Sequence, residues 1–529
     1  MKFSKRSLFL VMLASIVFFI IGCSSNESEV DGNKSDETSN DEANTGSVLK
    51  IALDGQPPTL DQPTAAPTAI RDTARLMFET LLTTDSNYAA VPMLAESVET
   101  DDNKTYVFHL REGVLFHNGK EMIAEDVIAS MERWLEKSAI TGTIFEGATW
   151  TAEDNYTVVL ELVESSSLTL DTIASSKQAA AIMPKEVVEA ATAEGVSEYI
   201  GTGPYQFVEW RQDQYIHFTK FDDYSALEEP ADGLAGKKEA LVDDIYFYIV
   251  TDASTRIAGL QTGEYDFAYG VPYDSYEQVN RDENINTHLD VTGVQLLAYN
   301  KEKGPAADVR MREVINTALD IEEIMMAAYP NEDLFWLHSS YMDEDIVSWA
   351  SDAGEEYHNI NDPEKAKQML EDMDYNGEEF KILATRDYDH HYNAAVVIHD
   401  QLSQIGINAT LEIYDWPTVT QLKDDTDAFD AYVISFSTVS TPPQFLGLSP
   451  TWAGGVNDEK VVEDMKAIET APTTEEAQEI WEDLQRYAWE ELLPVTTFGS
   501  YNSLYASSNK VEGIITFSGP IFWNVTIGE

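Results

Sequence analysis

Four residues between a strand pattern and a helical pattern could recognise a carboxylate. Residues 380–384 are spaced as a buried strand, 394–405 have helical apolar spacing, and Thr385-Arg386-Asp387-Tyr388 leads from the strand toward the helix. Loops that follow strands in βα units are where ligands meet open sheets. The planar guanidinium of Arg386 could make paired hydrogen bonds to a carboxylate, with Tyr388 beside it. The alternative is a solvated arginine paired with a neighbour such as Asp387.

Two tryptophans and two hydroxyl side chains are further candidates for ligand contact. Trp416 follows a short strand pattern and could stack on a solute, or it could be a buried core residue. Trp452, in a loop rich in Gly and Pro, leaves the same two interpretations open. Thr438 and Ser440 belong to a loop, 435–443, that contains hydroxyl groups and no acid. They could hydrogen-bond a neutral or anionic group, or they could only shape the turn.

Motifs for metal binding and for catalysis are weak or absent in the sequence. The pair His390-His391 suggests a metal, but adjacent histidines rarely face one ion and the spacing matches no common cluster. We therefore predict a solvated loop there and no metal site. The sequence has no His-Glu-x-x-His, Gly-x-Ser-x-Gly or Walker-type motif. Carboxylate pairs suited to glycoside hydrolysis arise by chance among 94 acidic residues, so no catalytic residue and no cofactor is predicted.

The only cysteine, Cys23, follows a basic start and an apolar stretch over 8–21. That stretch is short for a membrane-spanning helix and suits a secretion signal. Ile20-Ile21-Gly22-Cys23 resembles a bacterial lipobox, so we predict a lipoprotein signal peptide at 1–22 and acylation of Cys23; an ordinary secretion signal is the alternative. Residues 23–47 are mostly Ser, Asn, Asp, Glu and Gly, which predicts a disordered acidic tether. The lipid would hold the protein on the outer face of the membrane without spanning it.

The charge of the chain excludes some partners. The 529 residues carry 94 acidic and 33 basic side chains, a net charge of −61. Such a charge repels phosphate backbones, so a nucleic-acid partner is excluded, and the lipid is the only membrane contact expected. A chain this long exceeds the size of one hydrophobic core, so two or more domains or lobes are expected. The acidic surface also suggests a saline or alkaline habitat.

The order of the elements indicates an α/β protein. Strand and helix patterns alternate between about 363 and 436, which predicts a βα organisation with a mixed sheet, and the earlier part contains more hairpins. The strands predicted here are 48–53, 104–110, 114–116, 155–163, 206–210, 215–221, 245–250, 295–300, 380–384, 410–414 and 429–436, with strand-like pieces at 514–517 and 522–525. The helices predicted are 69–83, 125–135, 168–182, 253–262, 309–318, 363–372, 394–405 and 475–489.

Six motifs, in the same order, resemble those of the family 5 extracellular solute-binding proteins. This family serves ATP-driven importers of dipeptides, oligopeptides, nickel chelates and similar solutes, and the resemblance extends from about residue 48 to 529. The motifs are Leu110-Arg111-Glu112-Gly113-Val114 with Phe116-His117-Asn118-Gly119-Lys120 and Ala124-Glu125-Asp126-Val127; Gly201-Thr202-Gly203-Pro204-Tyr205; Thr255-Arg256 with Leu260-Gln261-Thr262-Gly263-Glu264-Tyr265-Asp266; Arg312 with Ala318-Leu319-Asp320; Pro363-Glu364-Lys365-Ala366-Lys367; and Gln401-Leu402 with Ile405-Gly406-Ile407.

The resemblance implies a two-lobed periplasmic-binding-protein-like fold, type II and similar to cluster C, with a hinge and a ligand cleft between the lobes. Lobe I would comprise 48–292 plus 496–529, and lobe II would comprise 293–495. In dipeptide-binding members the residue matching Arg386 pairs with the substrate carboxylate, and the residues matching Asp415-Trp416 lie near the cleft. An acid in the loop matching 435–443 clamps the substrate ammonium in those members; its absence here puts recognition of a free amino terminus in doubt.

The function implied is that of a lipid-anchored binding protein, without enzymatic activity, on the outside of a Gram-positive-type cell. It would capture a small peptide-like solute bearing a carboxylate and deliver it to the permease subunits of an ABC importer, whose ATPase is a separate subunit. We expect a monomer. An opine, a glutathione-like solute or a nickel chelate are alternatives within the family. A solute sensor for a signalling partner and a surface hydrolase are alternatives from other classes.

Overall fold

Residues Ile285–Tyr299 and Val495–Ser508 form two long antiparallel strands at the centre of the largest sheet. The computed structural model describes residues 46–64, 67–452 and 454–528. The predicted signal peptide, Cys23 and nearly all of the predicted tether therefore lie outside the described residues. Among the described residues, no helix is both long enough and apolar enough to cross a membrane.

The described residues contain 21 strands and 13 α-helices, numbered here in chain order. The strands are β1 (Val48–Leu53), β2 (Leu82–Thr84), β3 (Ala90–Pro92), β4 (Ala95–Glu99), β5 (Thr105–Leu110), β6 (Thr149–Asp154), β7 (Thr157–Glu161), β8 (Tyr205–Arg211), β9 (Tyr215–Lys220), β10 (Asp244–Ile249), β11 (Phe267–Ala268), β12 (Ile285–Tyr299), β13 (Phe335–Leu337), β14 (Glu379–Thr385), β15 (Asn408–Tyr414), β16 (Ala431–Ser437), β17 (Val495–Ser508), β18 (Val511–Glu512), β19 (Ile515–Thr516), β20 (Pro520–Ile521) and β21 (Thr526–Ile527). The helices are α1 (Thr68–Ala74), α2 (Ala124–Lys137), α3 (Thr169–Ala174), α4 (Lys185–Glu189), α5 (Ala253–Thr262), α6 (Tyr276–Asn280), α7 (Val309–Ala318), α8 (Ile321–Ala328), α9 (Pro363–Asp372), α10 (Asp389–Ile405), α11 (Trp416–Leu422), α12 (Glu459–Thr470) and α13 (Thr474–Tyr487).

The largest sheet has 11 strands in the order β15-β14-β16-β12-β17-β11-β1-β10-β9-β8, with β13 also paired to β17. It is mixed, because β14 runs parallel to β15 and β16 while β12 runs antiparallel to β16 and β17. The register of β12 on β17 shifts at two irregularities, one of them between Val291 and Gly293. A Cβ atom on Gly293 would lie 1.8 Å from the carbonyl oxygen of Phe436, so this close approach of backbones requires glycine.

Hydrophobic cores lie on both sides of the two long strands. One core surrounds β1, β9 and β10, and a second lies against the separate four-stranded sheet β4-β5-β7-β6. A third contains residues of β14, β16 and α13. A fourth is centred on α7, α8 and α10 and continues past the long strands to Leu260 and Val279. The predicted α/β organisation with a mixed sheet is therefore confirmed.

Local sequence signals explain several elements. The carboxylate of Asp252 accepts the backbone N–H of Thr255 at 2.7 Å and begins α5, which ends at Gly263 in the left-handed conformation. Asp362 caps α9 in the same way, and Pro363 occupies its first turn. The helices predicted at 253–262, 309–318 and 363–372 have the bounds of α5, α7 and α9.

Three predicted elements are wrong or too long. The helix predicted over 69–83 ends at Ala74, because the carbonyls of Leu76 and Met77 accept backbone N–H groups from Tyr205 and Gly203. The helix predicted over 168–182 is only α3, because the chain turns after it, with Gln178 in the left-handed region, and the N–H of Ile182 donates to the carbonyl of Glu79. The strand predicted at 114–116 is reduced to an isolated bridge between Leu115 and Glu121.

Candidate functional site

A cavity of about 790 Å³ lies beside the long strand β17 and is the candidate functional site. Its lining comes from the residue after β1, the starts of α1 and α5, the segment after β11, the end of α8, the start of α10, and four residues of β17: Tyr501, Ser503, Leu504 and Tyr505. The lining therefore includes segments on the β1 side of the sheet together with α8 and α10, of which α10 packs against β14. A volume of this size falls within the range of small-molecule sites.

Aromatic rings form much of the cavity wall. Tyr501 stacks on Tyr329 with ring centroids 5.1 Å apart, and Tyr273 meets Tyr329 edge-on at 4.9 Å. Tyr269 and Tyr505 meet at 5.2 Å. Burial raises the pKa of Tyr501 to about 12, so its hydroxyl stays protonated at physiological pH. These tyrosines are thus neutral and amphipathic, with rings to pack against a solute and hydroxyls to hydrogen-bond it.

Two histidines begin α10, and the structure contradicts the solvated loop predicted for them. His391 is buried in the first turn, and its Nε2 lies 2.8 Å from the hydroxyl oxygen of Ser435. Burial lowers the pKa of His390 to about 4 and that of His391 well below its usual value, so both rings are neutral at pH 7. Within the described ranges, no group of three or more His, Cys, Asp or Glu side chains is arranged to hold a metal ion.

Arg386 lies at the end of β14, exposed to solvent. Its guanidinium carbon is 5.0 Å from the ring centre of Tyr392, and Nη2 donates to the Tyr392 hydroxyl at 3.3 Å. Arg386 is not one of the residues that line the cavity, whereas Asp387 and Tyr388, directly after it, are. Its role toward a carboxylate stays a prediction.

Tyr388 and Trp416 lie together, as two sequence candidates at adjacent strand ends. Their rings meet edge-on at 5.3 Å. The carboxylate of Asp387 accepts the backbone N–H of Trp416 at 2.7 Å, and Asp415 caps the start of α11 by accepting the N–H of Thr418 at 2.8 Å. These two hydrogen bonds fix the start of α11 against the loop after β14.

Thr438, Ser440 and Trp452 are not among the residues that line the cavity, and each contacts other described residues. The Thr438 hydroxyl donates to the carboxylate of Asp343 at 3.3 Å, and the backbone N–H of Ser440 donates to the Gln444 side chain at 3.1 Å. The Trp452 ring packs on Phe436 at 5.0 Å, and none of the three predicted residues lines the cavity. Whether they contact a solute stays a prediction.

Sequence reasoning missed Asp343, Asp54 and the tyrosines of β17. Asp343 is 2 % exposed, and burial raises its pKa to about 6. In the sequence it stands in Asp343-Glu344-Asp345, which is indistinguishable from surface acids in so acidic a chain. Asp54 directly follows the predicted first strand and could have been found by the strand-end rule that indicated Arg386.

Comparison with protein families identifies one model that matches the chain. The model described as "Bacterial extracellular solute-binding proteins, family 5 Middle" matches residues 89–456, well over half of the chain. Among proteins of similar sequence is the "Probable peptide ABC transporter periplasmic-binding protein y4tO" of Sinorhizobium fredii, 28 % identical over 90 % of this chain and 93 % of that protein. The "Oligopeptide-binding protein AppA" of Bacillus subtilis is 25 % identical over 88 % and 89 %.

Solved structures share the fold. The AppA protein of Bacillus subtilis in complex with a nonapeptide has a TM-score of 0.71 at 22 % identity, covering 89 % of this chain and 96 % of that one. A putative peptide-binding protein AppA of Clostridium difficile has a TM-score of 0.77 at 21 % identity, covering 89 % and 98 %. These similarities confirm the two-lobed α/β fold expected from the sequence.

Proposed function

The chain belongs to the family 5 bacterial extracellular solute-binding proteins, and from this premise we propose that it captures a small peptide-like, carboxylate-bearing solute for an ABC importer. The solute is held between the lobes and passed to membrane permease subunits. The protein performs no chemistry on it, and the ATPase is a separate subunit.

The cavity beside β17 is the observation that carries this proposal. It has about 790 Å³ of space, and its lining includes Asp54, which follows β1, and Tyr388, which precedes α10. Burial and the negative charges of Asp387 and Asp54 raise the pKa of Tyr388. A solute in this cavity would contact segments on the β1 side and on the β14 side of the sheet. Closure of two lobes around a ligand requires contacts from both lobes.

The proposal includes the division of the chain and its attachment. Lobe I comprises 48–292 plus 496–529, lobe II comprises 293–495, and β12 and β17 pass between them. Signal cleavage after residue 22 and acylation of Cys23 place the protein on the outer face of the cell membrane, joined to its body by the tether 23–47. It acts there as a monomer.

A thermal-shift screen tests the proposed function. A solute that binds only the folded protein raises the melting temperature with its concentration. The panel contains di- and tripeptides, oligopeptides, opines, glutathione and nickel–histidine chelates. We expect stabilisation by peptides and recovery of the peptide unchanged. Stabilisation by an opine or a nickel chelate alone would show that the solute is of that class and not a peptide. Consumption of any panel member would show that the protein is an enzyme.

A further inference from the structure

A second contact between the two proposed lobes lies outside the cavity. It joins the loop 164–168, which leads from β7 to α3, to the segment 471–473 between α12 and α13. Neither of these described segments lines the cavity, and neither belongs to the long strands β12 and β17, which pass between the proposed lobes. The contact is therefore separate both from the site and from the chain connections between the lobes.

Leu168 is the apolar centre of this contact. Its side chain is 0 % exposed, and it belongs to a hydrophobic core whose other buried members, among the described residues, all lie between 296 and 495. Leu168 of proposed lobe I is thus buried in the core of proposed lobe II. Leu160 and Ile173, which are close to it in the chain, belong to a different core confined to 81–182. Separation of the lobes would expose the Leu168 side chain to water, which disfavours an open form.

Two hydrogen bonds accompany the burial of Leu168. The side-chain amide of Asn103 donates to the backbone carbonyl of Pro472 at 2.8 Å, and the backbone N–H of Ser167 donates to the carbonyl of Ala471 at 3.3 Å. All of these groups are uncharged, so they add nothing to the repulsion between two parts of an acidic chain. We call Asn103, Ser167 and Leu168, together with Ala471 and Pro472, the clasp.

The half of the clasp in proposed lobe I is held in place by its own lobe. The Tyr106 hydroxyl donates to the carbonyl of Ser166 at 2.7 Å, and the N–H of Ser166 donates to the carbonyl of Asn103 at 2.7 Å. These bonds fix the loop against the start of β5, so little ordering is needed when the two halves meet. Lys466 and Glu164 form an exposed ion pair at 3.1 Å beside the clasp, and such a pair contributes little.

We propose that the clasp holds the two lobes closed around the solute and sets the rate at which the solute is released. The inference rests on the proposed function for the solute and for the division into lobes. The clasp residues do not line the cavity, and they act as positioning residues that change the balance between open and closed forms. Weakening the clasp speeds release and leaves the contacts of the solute with the cavity wall unchanged.

Release of peptides from the loaded protein tests this inference. The full-length protein is incubated with a pool of short peptides and freed of unbound material by gel filtration, and the peptides that leave it are followed over time by mass spectrometry. Leu168→Ala should release them about 30-fold faster or more, because the packing of a buried leucine is lost from the closed form. Asn103→Ala should accelerate release about 2- to 10-fold, since one neutral hydrogen bond is lost.

Leu160→Ala is the matched control for Leu168→Ala. Leu160 is 0 % exposed in the core against the four-stranded sheet, so its replacement should lower the melting temperature and leave the release rate unchanged. The melting temperature of each variant without peptide checks its fold. Release at the wild-type rate from both clasp variants, or equal acceleration by Leu160→Ala, overturns the inference and leaves the proposed function standing.

A disulfide across the clasp separates failure of the inference from failure of the proposed function. Ser167→Cys and Ala471→Cys are combined in a Cys23→Ser background, which removes the only natural cysteine. Oxidation without peptide should join the two introduced cysteines, because a disulfide requires the closeness that the clasp provides, and adding Leu168→Ala should slow the reaction severalfold.

This measurement decides the inference even where the wild type retains no peptide, an outcome that overturns the proposed function. Slower cross-linking with Leu168→Ala then supports the clasp. An unchanged rate, or no disulfide at all, overturns it.

Discussion

The rings of Tyr388 and Trp416 meet edge-on with their centroids 5.3 Å apart, and the backbone N–H of Trp416 donates to the carboxylate of Asp387. This contact joins the ends of two neighbouring parallel strands, β14 and β15. Tyr388 is 41 % exposed and lines the cavity, while Trp416 stands behind it. The pair therefore supports one part of the cavity wall, and removing it should weaken binding of the solute.

Replacing Trp416 by Ala should weaken peptide binding about tenfold, because Tyr388 loses the ring that holds it in place. Trp416→Phe keeps an aromatic partner and should restore most of the affinity. Titration calorimetry of both variants with the best peptide of the screen measures the difference. Equal weakening by Phe and Ala would show that the indole itself, not support of Tyr388, determines affinity.

Arg386→Ala tests the predicted carboxylate contact. If the guanidinium binds the terminal carboxylate, the variant should bind a free peptide at least about tenfold more weakly, and amidation of the peptide should cost the wild type the same factor. Amidation should then cost the variant little, because the two changes remove one interaction. Arg310→Ala, an exposed arginine on α7 paired with Asp308, is the control. If the losses of affinity caused by Arg386→Ala and by amidation of the peptide are additive, the predicted contact is contradicted.

The buried carboxyl of Asp343 should make stability depend on pH. Burial raises its pKa from 3.8 to about 6, so between these values the folded protein keeps a proton that the unfolded chain releases. Stability from this group is present at low pH and falls as pH rises from about 4 to about 6. The free energy of unfolding of Asp343→Asn should therefore exceed that of the wild type by an amount that grows over this interval. The difference should reach roughly 3 kcal/mol above pH 6.

Urea unfolding at pH 4, 5, 6 and 8 measures this gain, with the exposed Asp101→Asn as control. A difference between Asp343→Asn and the wild type that does not change with pH would contradict the assignment, because a lost hydrogen bond alone has no titration.

A buried ion pair fixes α2 against the segment after β1. Both carboxylate oxygens of Asp61 accept from the guanidinium of Arg133, one at 2.9 Å, and the side chains are 1 % and 5 % exposed. Asp61 also accepts the backbone N–H of Val196 at 3.1 Å. Arg133→Met should destabilise the protein by about 3–5 kcal/mol, since it leaves a buried carboxylate without its cation.

Arg281→Met removes the partner of Glu277 in an exposed pair on α6 and just beyond it, and is the matched control. Exposed pairs contribute at most about 1 kcal/mol. Comparable losses in the two variants, measured by urea unfolding, would contradict the importance of burial for the Arg133–Asp61 pair.

The elements with strong local signals could be predicted from the sequence, and the central strand could not. Helices with an aspartate cap, such as α5 and α9, were predicted with their observed bounds. The strand β17 was missed because polar residues such as Thr496, Thr497 and Ser500 are buried in it, so apolar and polar residues do not alternate regularly along it. Their hydroxyls are satisfied by tertiary contacts, such as Ser500 with His338 at 2.8 Å, and local sequence does not record such partners.

The site was predictable only where a strand end and a chemical motif coincided. Tyr388 was found by this rule and lines the cavity, while Arg386, two residues before it, faces Tyr392 outside the cavity wall. Side chains one or two positions apart on a loop can point in different directions, and sequence patterns do not determine these directions.

Recovery of the bound solute by mass spectrometry is a direct test of whether the protein captures a peptide without changing it. The full-length protein is incubated with a pool of short peptides, freed of unbound material by gel filtration, and then denatured. We expect about one intact peptide for each protein chain, depleted in Trp416→Ala and unchanged in Asp101→Asn. Recovery of cleaved peptides, or of no peptide from a protein that is fully folded, would contradict it.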